Sequence, residues 1–137
     1  VGGGNTKSML AVWKDWNLHN ILKIGYEKGI VMSGVSAGAI CWFDKGITDS
    51  FSEKLEIIDC LGIVNGTACP HYDEEKEREP FVNEIIKKQI LDNCICIDGN
   101  CALHIKNDIK YESINFGNNK KCLKIFKEKD KLIKEYF

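Results

Sequence analysis

The stretch of sequence that decides the fold is residues 29–38, Gly-Ile-Val-Met-Ser-Gly-Val-Ser-Ala-Gly. Its first part, 29–35, is a short apolar run that is rich in β-branched residues and bounded by glycine, which predicts a buried strand. The residues from Ala37 to Phe43 are first small and then bulky, which predicts a helix that begins directly at Ser36. A strand that turns into a helix at the serine of a Gly-x-Ser-x-Gly sequence is typical of a nucleophile elbow.

Ser36 stands at the centre of this sequence, with Gly34 two residues before it and Gly38 two residues after it. The turn forces the serine into a strained backbone conformation, and only residues without bulk fit on either side. The hydroxyl then lies at the amino end of a helix, where backbone N–H groups and the helix dipole favour developing negative charge. We therefore expect Ser36 to be a nucleophile. The alternative is an ordinary strand-to-helix turn with small residues for packing.

A nucleophilic serine needs a base, and the base needs an orienting acid. His71 follows a strand predicted over 61–68, and residues at the carboxyl ends of strands in an open α/β sheet converge on one crevice. His71 is therefore the candidate base, rather than His19 in a predicted helix or His104 in a predicted strand. A surface position in a loop is the alternative for His71. The nearby acids, among which spacing does not choose, are Asp44, Asp49, Asp59 and Asp73.

The segment Gly2-Gly3-Gly4-Asn5-Thr6 precedes a predicted helix. Consecutive backbone N–H groups in such a loop form a concave site that suits an anion. The segment lacks the lysine-serine pair of a phosphate-binding Walker loop and the glycine pattern of a dinucleotide site. We expect it to supply one N–H group of an oxyanion hole, with the second supplied by Ala37 directly after the nucleophile.

The rest of the chain predicts further helices and strands. The helices are expected from Asn5 or Thr6 through Trp13, from Asn17 to near Gly25 or Gly29, over 74–91 and, rich in lysine, at the end of the chain. The strands are expected at 61–68, 94–97, 102–105, 110–114 and 122–126. The second and third of these strands flank Asp98-Gly99-Asn100, which predicts that they pair around a turn. The polar residues 48–56 predict a loop. Helices that alternate with buried strands indicate the α/β class with a largely parallel sheet.

Taken together, these features resemble the peptidase E (aspartyl dipeptidase) family of serine peptidases. The resemblance rests on the order and spacing of the glycine segment, the serine segment 34–39 and Pro70-His71, and it runs from Val1 to about Ile105. It implies a three-layer, class I glutamine amidotransferase-like α/β fold, in which helices flank a mostly parallel sheet and serine replaces the usual cysteine. The resemblance also implies that 1–137 is a single domain without the family's first strands and helices. We expect the chain to be the carboxyl-terminal two-thirds of a peptidase E-like domain.

The resemblance further implies a role for individual residues. Ser36 matches the nucleophile and His71 matches the base. Asp49, which lies between a threonine and a serine, matches the orienting acid of the triad. Gly4 and Ala37 match the oxyanion-hole donors.

Arg78 is the only arginine among 19 basic residues. Only arginine offers a planar fork of donors to a carboxylate. The resemblance implies that Arg78 binds the side chain of an amino-terminal aspartate in a dipeptide substrate. A solvated helix residue paired with neighbouring glutamates is the alternative.

The composition limits the binding partners and the cellular location that we expect. The net charge of −1 at pH 7 provides no field that would attract nucleic acid. No apolar run is long enough to cross a bilayer and no leader typical of secretion is present, which favours a cytoplasmic protein that does not bind membranes. The seven cysteines are odd in number, so reduced thiols are expected. Cys94 and Cys96 lack the two-residue spacing of a zinc site, and neither a metal nor another cofactor is expected.

The expected partner is therefore a short peptide, cleaved through an acyl-enzyme. Self-association through a sheet edge that lacks its neighbouring strands is also expected. One alternative function is hydrolysis of other amides, such as β-aspartyl or cyanophycin-like bonds. The other is a non-catalytic fragment that binds a partner.

Overall fold

The computed structural model describes residues 1–52, 54–107 and 109–137, so Glu53 of the predicted 48–56 loop lies outside the described residues. The described helices are α1 (Thr6–Asp15), α2 (Leu18–Glu27), α3 (Ala37–Ile40) and α4 (Arg78–Lys87). The described strands are β1 (Phe43–Thr48), β2 (Glu56–Asp59), β3 (Val64–Cys69), β4 (Asn93–Ile97), β5 (Cys101–Lys106), β6 (Lys110–Asn115), β7 (Cys122–Glu128) and β8 (Lys131–Tyr136). The chain divides into two compact units, 1–65 and 66–137, and the boundary falls within β3.

The first unit is built around the short helix α3 and the strand that follows it. α1 begins after Asn5, whose side-chain oxygen accepts a hydrogen bond of 2.8 Å from the Ser8 N–H group and so caps the helix. β1 and β2 pair in antiparallel register. Trp13 of α1 packs on Trp42 with ring centroids 6.5 Å apart. The buried hydrophobic residues that line this core are Ala37, Ile40, Cys41, Trp42, Phe43, Ile47 and Ile58.

The second unit contains a sheet in the order β3-β4-β7-β8. β3 and β4 are parallel, with Ala68 opposite Ile95, and α4 connects them. β7 and β8 extend the sheet by antiparallel pairing. A parallel strand pair joined through a helix is the unit from which α/β proteins are built. The α/β class predicted from the sequence is therefore confirmed.

α4 covers one face of this sheet and contacts β4, β7 and β8. Its buried residues repeat with helical spacing, at Val82, Ile85 and Ile86. The strand residues beneath belong to the same core, and they include Cys94, Ile95, Cys96, Leu123 and Ile125. Burial of these apolar side chains positions the loop that connects β3 to α4, which carries His71 and ends at Arg78.

The apolar run 29–35 differs from the prediction. No strand is assigned within it, and the side chain of Val31 is 88% exposed. Two backbone hydrogen bonds still join the run to the first residue: the Val1 amine donates to the Ser33 oxygen at 2.8 Å, and the Val35 N–H donates to the Val1 oxygen at 3.1 Å. These two bonds have the slanted pattern of a parallel strand pair. The buried strand predicted over 29–35 is therefore wrong: the run is mostly exposed, and these two bonds pair it with one residue only.

The end of the chain also differs from the prediction. A lysine-rich helix was expected after residue 126, but β7 and β8 form an antiparallel hairpin through a turn in which Lys129 has a φ of 54°. β8 lies at the edge of the sheet. Lysines on an edge strand discourage pairing with another chain; of the two on β8, Lys131 is exposed and Lys134 donates to Glu79 of α4 at 2.7 Å.

The predicted pair of strands around Asp98-Gly99-Asn100 is wrong as a pairing, although both strands exist. β5 pairs with β6 in a separate two-stranded ribbon. β7 instead pairs with β4, with Ile97 opposite Cys122. A turn sequence fixes a change of chain direction, but here it does not determine which strand becomes the neighbour.

Other apolar side chains on the first unit are also exposed. They include Val12, Trp16, Ile21, Ile24 and Ile30. Among the described residues, no helix combines the length and the apolar character that crossing a membrane requires.

The core of the second unit gives a direct stability prediction. Ile86 on α4 is 0% exposed, whereas Ile90, just after the helix, is 58% exposed. We expect Ile86→Ala to lower the free energy of unfolding by roughly 2–5 kcal/mol, since the truncation removes buried methyl groups and leaves a cavity. Ile90→Ala is the matched control and should change it by about 0.5 kcal/mol or less. Urea unfolding of both variants measures the difference, and equal losses would contradict this description of the core.

Candidate active site

Ser36 occupies the residue before α3 and has a φ of 55° and a ψ of −118°. L-residues other than glycine rarely adopt a positive φ, and they do so mostly where the surrounding structure holds them. The surrounding hydrogen bonds do hold it. The Ala39 and Ile40 N–H groups donate to the Ser36 oxygen at 2.9 and 3.1 Å, and the Gly38 N–H donates to the Val35 oxygen at 2.9 Å. The strained turn predicted at this serine is present.

Glycine is required at positions 34 and 38 of the turn because other backbone segments lie very close to both. A Cβ atom at Gly34 would overlap the carbonyl group of Gly38. A Cβ atom at Gly38 would overlap the backbone of Val1 and Gly2. Neither obstacle is a flexible side chain, so any other residue would displace the turn. The sequence-based reason for glycine at both positions is therefore confirmed.

The glycine segment passes beside Ser36. A Cβ atom at Gly3 would lie 3.3 Å from the Cβ and 3.9 Å from the Oγ of Ser36. Gly4 follows with a φ of 144°, a conformation that favours glycine, and Ala37 is buried directly after the serine. Backbone from two parts of the chain thus borders the Ser36 hydroxyl. The roles of Gly4 and Ala37 as oxyanion donors stay predictions.

A network of short polar side chains ties the loop after β1 to the start of α1. Thr48 Oγ1 lies 2.7 Å from Ser50 Oγ and donates to Thr6 Oγ1 at 3.3 Å. Ser50 Oγ also accepts a hydrogen bond of 2.8 Å from the Thr6 N–H, and the Ser50 carbonyl accepts one of 3.1 Å from the Asn5 side chain. Thr6 and Thr48 are buried. Sequence reasoning missed this network, for which the clustered threonine and serine residues are the only signal.

Asp49 lies within this loop, between Thr48 and Ser50, and its side chain is exposed. Two of the other acids that the sequence left open have partners elsewhere. Asp59 accepts a hydrogen bond of 2.5 Å from Lys45. Asp73 accepts hydrogen bonds from Lys120 and from the Gly99 N–H. Partial burial would raise the pKa of Asp73, but these two donors outweigh it and hold the pKa below its ordinary value.

His71 follows the carboxyl end of β3 and has a φ of 52°. Its Nδ1 atom lies 2.8 Å from Oε2 of Glu74, and its carbonyl oxygen accepts a hydrogen bond of 3.1 Å from the Glu74 N–H. The ring is half-buried, with 31% of the side chain exposed. The position at a strand end is the one expected for the base, whereas the contact with Glu74 was not foreseen. The meeting of His71 with Ser36 stays a prediction.

Arg78 is the first residue of α4 and is only 3% exposed. Its Nε donates to Oε2 of Glu75 at 2.7 Å, and its Nη1 lies 4.0 Å from Sγ of Cys69. Burial raises the pKa of the Cys69 thiol to about 12, so this sulfur is a neutral neighbour at physiological pH. The alternative of a solvated helix residue is wrong, although the expected pairing with a glutamate is present. A buried guanidinium is retained only where acceptors meet it.

None of the cysteines whose pKa departs from its ordinary value is a competing nucleophile. All seven cysteines are free. Burial raises the pKa of Cys41, Cys60 and Cys122 to about 12, as it does for Cys69. A thiol attacks as its thiolate, which these residues do not form near neutral pH. Reduced, mostly buried thiols are what the sequence predicted.

The polar network supplies a second stability prediction. Ser50→Ala removes the acceptor of the Thr6 N–H, which lies in the first turn of α1 beside a buried side chain. We expect a loss of about 1–3 kcal/mol in the free energy of unfolding, the cost of leaving a buried donor without its partner. Ser8→Ala removes a hydroxyl from the exposed side of the same helix and serves as the control. Thermal or urea unfolding compares the two, and a Ser50→Ala variant as stable as the control would refute the role of the network.

Comparison with known proteins identifies the family. The model of peptidase family S51 matches residues 1–112. The uncharacterized peptidase YgaJ of Bacillus subtilis (strain 168) is 40% identical over 125 residues, which cover 91% of this chain and 54% of that protein. The chain thus spans about half the length of this curated relative. The resemblance to the peptidase E family is confirmed at the level of the family, and the chain belongs to peptidase family S51.

Proposed function

We propose that the protein is a serine-type peptidase in which Ser36 is the nucleophile. The observation that carries the proposal is the strained backbone of Ser36 at the start of α3, with Gly3 packed against its side chain. A nucleophile elbow uses this strain to hold the hydroxyl clear of its neighbours. Membership of a peptidase family supports the same reaction.

In the proposed reaction, Ser36 Oγ attacks the carbonyl carbon of a peptide bond while His71 takes the hydroxyl proton. The carbonyl oxygen becomes negative, and the N–H groups of Gly4 and Ala37 stabilise it. His71 then gives the proton to the leaving amine as the C–N bond breaks. Water then attacks the acyl carbon while His71 takes one of its protons, and His71 gives that proton to Ser36 Oγ as the acyl C–O bond breaks. Asp49 is the acid that family resemblance assigns to the triad.

The proposed substrate is a dipeptide with an amino-terminal aspartate, and Arg78 is the proposed contact for its side chain. A dipeptide offers only its two ends and its side chains for recognition. Arg78 supports the proposal as the chain's one arginine, because only its planar fork matches a carboxylate; the substrate carboxylate would replace Glu75 at the guanidinium. The cytoplasmic location expected from the sequence belongs to the same proposal.

The nucleophile is tested by substitution. Ser36→Ala should reduce peptide hydrolysis by about a millionfold if the triad acts as a unit, with the fold retained. Ser33→Ala is the matched control, because it removes an exposed serine three residues away and should leave the rate unchanged. A fluorophosphonate probe, which reacts with activated serines, should label the unsubstituted protein and Ser33→Ala but not Ser36→Ala. A folded Ser36→Ala variant that keeps its activity would exclude this mechanism.

Substrate choice is tested by competition between Asp-Leu and Asn-Leu. A hydrogen bond to a charged group contributes roughly 1.5–3 kcal/mol, which corresponds to about ten- to a hundredfold preference for Asp-Leu. Arg78→Lys should lose much of this preference, because a single ammonium group does not reproduce the planar fork. The ratio of kcat/KM for the two dipeptides measures it before and after the substitution. Equal turnover of both by the unsubstituted protein would leave a hydrolase without aspartate specificity.

A further inference from the structure

Two free cysteines of the second unit lie in contact with each other. Cys101 is the first residue of β5 and Cys122 is the first residue of β7, and their Sγ atoms are 3.4 Å apart. A disulfide has a sulfur–sulfur distance of about 2.05 Å, so the two sulfurs have to approach by about 1.4 Å to form one. Small rotations about the two Cα–Cβ bonds supply a movement of this size.

The two thiols belong to different sheets. β5 pairs with β6 in the two-stranded ribbon, whereas Cys122 lies opposite Ile97 in the larger sheet. Ser113 of β6 contacts both cysteines: its Oγ lies 3.2 Å from Cys101 Sγ and accepts a hydrogen bond of 2.9 Å from the Cys122 N–H. A bond between the two sulfurs would therefore join the ribbon to the sheet at a place where they already meet.

The two thiols differ in their access to solvent. Cys101 is only partly buried, which leaves this residue open to a small oxidant in water, whereas Cys122 is 0% exposed. Burial raises the pKa of the Cys122 thiol to about 12, which keeps it protonated at physiological pH. An accessible thiol that meets the oxidant, next to a second thiol that bonds to it afterwards, is a common arrangement in redox-sensitive proteins.

Three other cysteines of this unit are also close neighbours, but they are closed to solvent. Cys69 lies opposite Cys96 on the adjacent strand, and Cys94 lies two residues before Cys96. All three are 0% exposed. Proximity between cysteines therefore occurs elsewhere in this core, whereas Cys101 and Cys122 combine proximity with access to solvent.

We propose that Cys101 and Cys122 form an oxidation site, in which a peroxide converts the two thiols to a disulfide that fastens the β5–β6 ribbon to the sheet. Cys101 Sγ attacks one oxygen of hydrogen peroxide as the O–O bond breaks, and the thiol proton leaves with the other oxygen as water. The product at Cys101 is a sulfenic acid. Cys122 Sγ then bonds to Cys101 Sγ as the S–O bond breaks, and the Cys122 proton leaves with the hydroxyl group as a second water. The two thiols together lose one pair of electrons, which the peroxide gains.

Peptide mapping of the full chain locates the bond. The reduced protein, freed of reductant, is treated with hydrogen peroxide until the number of free thiols no longer falls, and the remaining thiols are alkylated. Digestion with trypsin and endoproteinase Asp-N places Cys101 in the peptide 98–106 and Cys122 in the peptide 122–124, each without a second cysteine. We expect these two peptides to be joined, with the loss of two hydrogen atoms, and to separate in dithiothreitol.

Other products would overturn the proposal. One is the peptide 98–106 joined to the peptide 92–97, which carries Cys94 and Cys96. Another is a covalent dimer of the chain through Cys101. Conversion of Cys101 to a sulfinic acid, which dithiothreitol does not reduce, would overturn it as well.

Substitutions test the order of the two steps. In Cys101→Ser, Cys122 should keep its thiol, because it is buried and depends on Cys101 to meet the oxidant. In Cys122→Ala, dimedone should label Cys101 as a trapped sulfenic acid. Cys60→Ser is the matched control, because Cys60 is also only partly buried and its Sγ donates to the Ile58 oxygen at 3.7 Å, and this variant should form the joined peptides to the same extent as the unsubstituted protein.

If Cys122→Ala fails to fold, the comparison of Cys101→Ser with Cys60→Ser still decides. Oxidation of Cys122 by peroxide in Cys101→Ser, or loss of the joined peptides in Cys60→Ser, would contradict the proposed order.

Hydrogen exchange measures whether the bond fastens the ribbon. The disulfide closes a ring over residues 101–122, which contains all of β6. We expect the backbone amides of β6 to exchange roughly tenfold more slowly after oxidation, because a cross-link restricts the opened state of the ring. Cys101→Ser, treated with peroxide in the same way, should show no change. Equal exchange in the reduced and the disulfide-bonded protein would overturn the claim that the bond fastens the ribbon.

Discussion

The close approach between the backbones of Gly38 and Val1 is the constraint on which the candidate nucleophile depends. A side chain at Gly38 would overlap Val1, and one at Gly34 would overlap Gly38. Because Gly34 and Gly38 carry no side chain, the chain turns tightly between them, and Ser36 adopts a strained backbone conformation. Such strain costs about 1–3 kcal/mol. It persists because α3 and β1 bury a hydrophobic core immediately after the serine.

The second unit arranges His71 in a different way. Glu74 Oε2 lies 2.8 Å from Nδ1 of His71, and both side chains are partly exposed. The two arrangements differ in what is fixed. At Ser36 it is the backbone of the residue itself, whereas at His71 it is the side chain, which a carboxylate three residues away holds.

Requirements that are local in the chain could be predicted from the sequence, and those that depend on distant neighbours could not. The turn at Ser36 was predictable because steric crowding between Gly34 and Gly38 follows from their spacing. The exposure of 29–35 was not, since burial of a strand depends on what pairs with it. The lysine-rich end of the chain was predicted as a helix from its composition, whereas β7 and β8 pair there as an antiparallel hairpin. The contact between Glu74 and the His71 ring depends on the positive φ of His71, which the residue type does not predict.

Positive φ values nevertheless carry information about function once the structure is known. Among the described residues, eight other than glycine have a positive φ, and four of them are asparagine, which tolerates this conformation well. Histidine shares part of this tolerance, whereas serine does not. At Ser36, with a φ of 55° and a ψ of −118°, glycine would satisfy the backbone at a lower cost in free energy. The backbone therefore does not explain why a serine occupies position 36, whereas the proposed role of its hydroxyl as a nucleophile does.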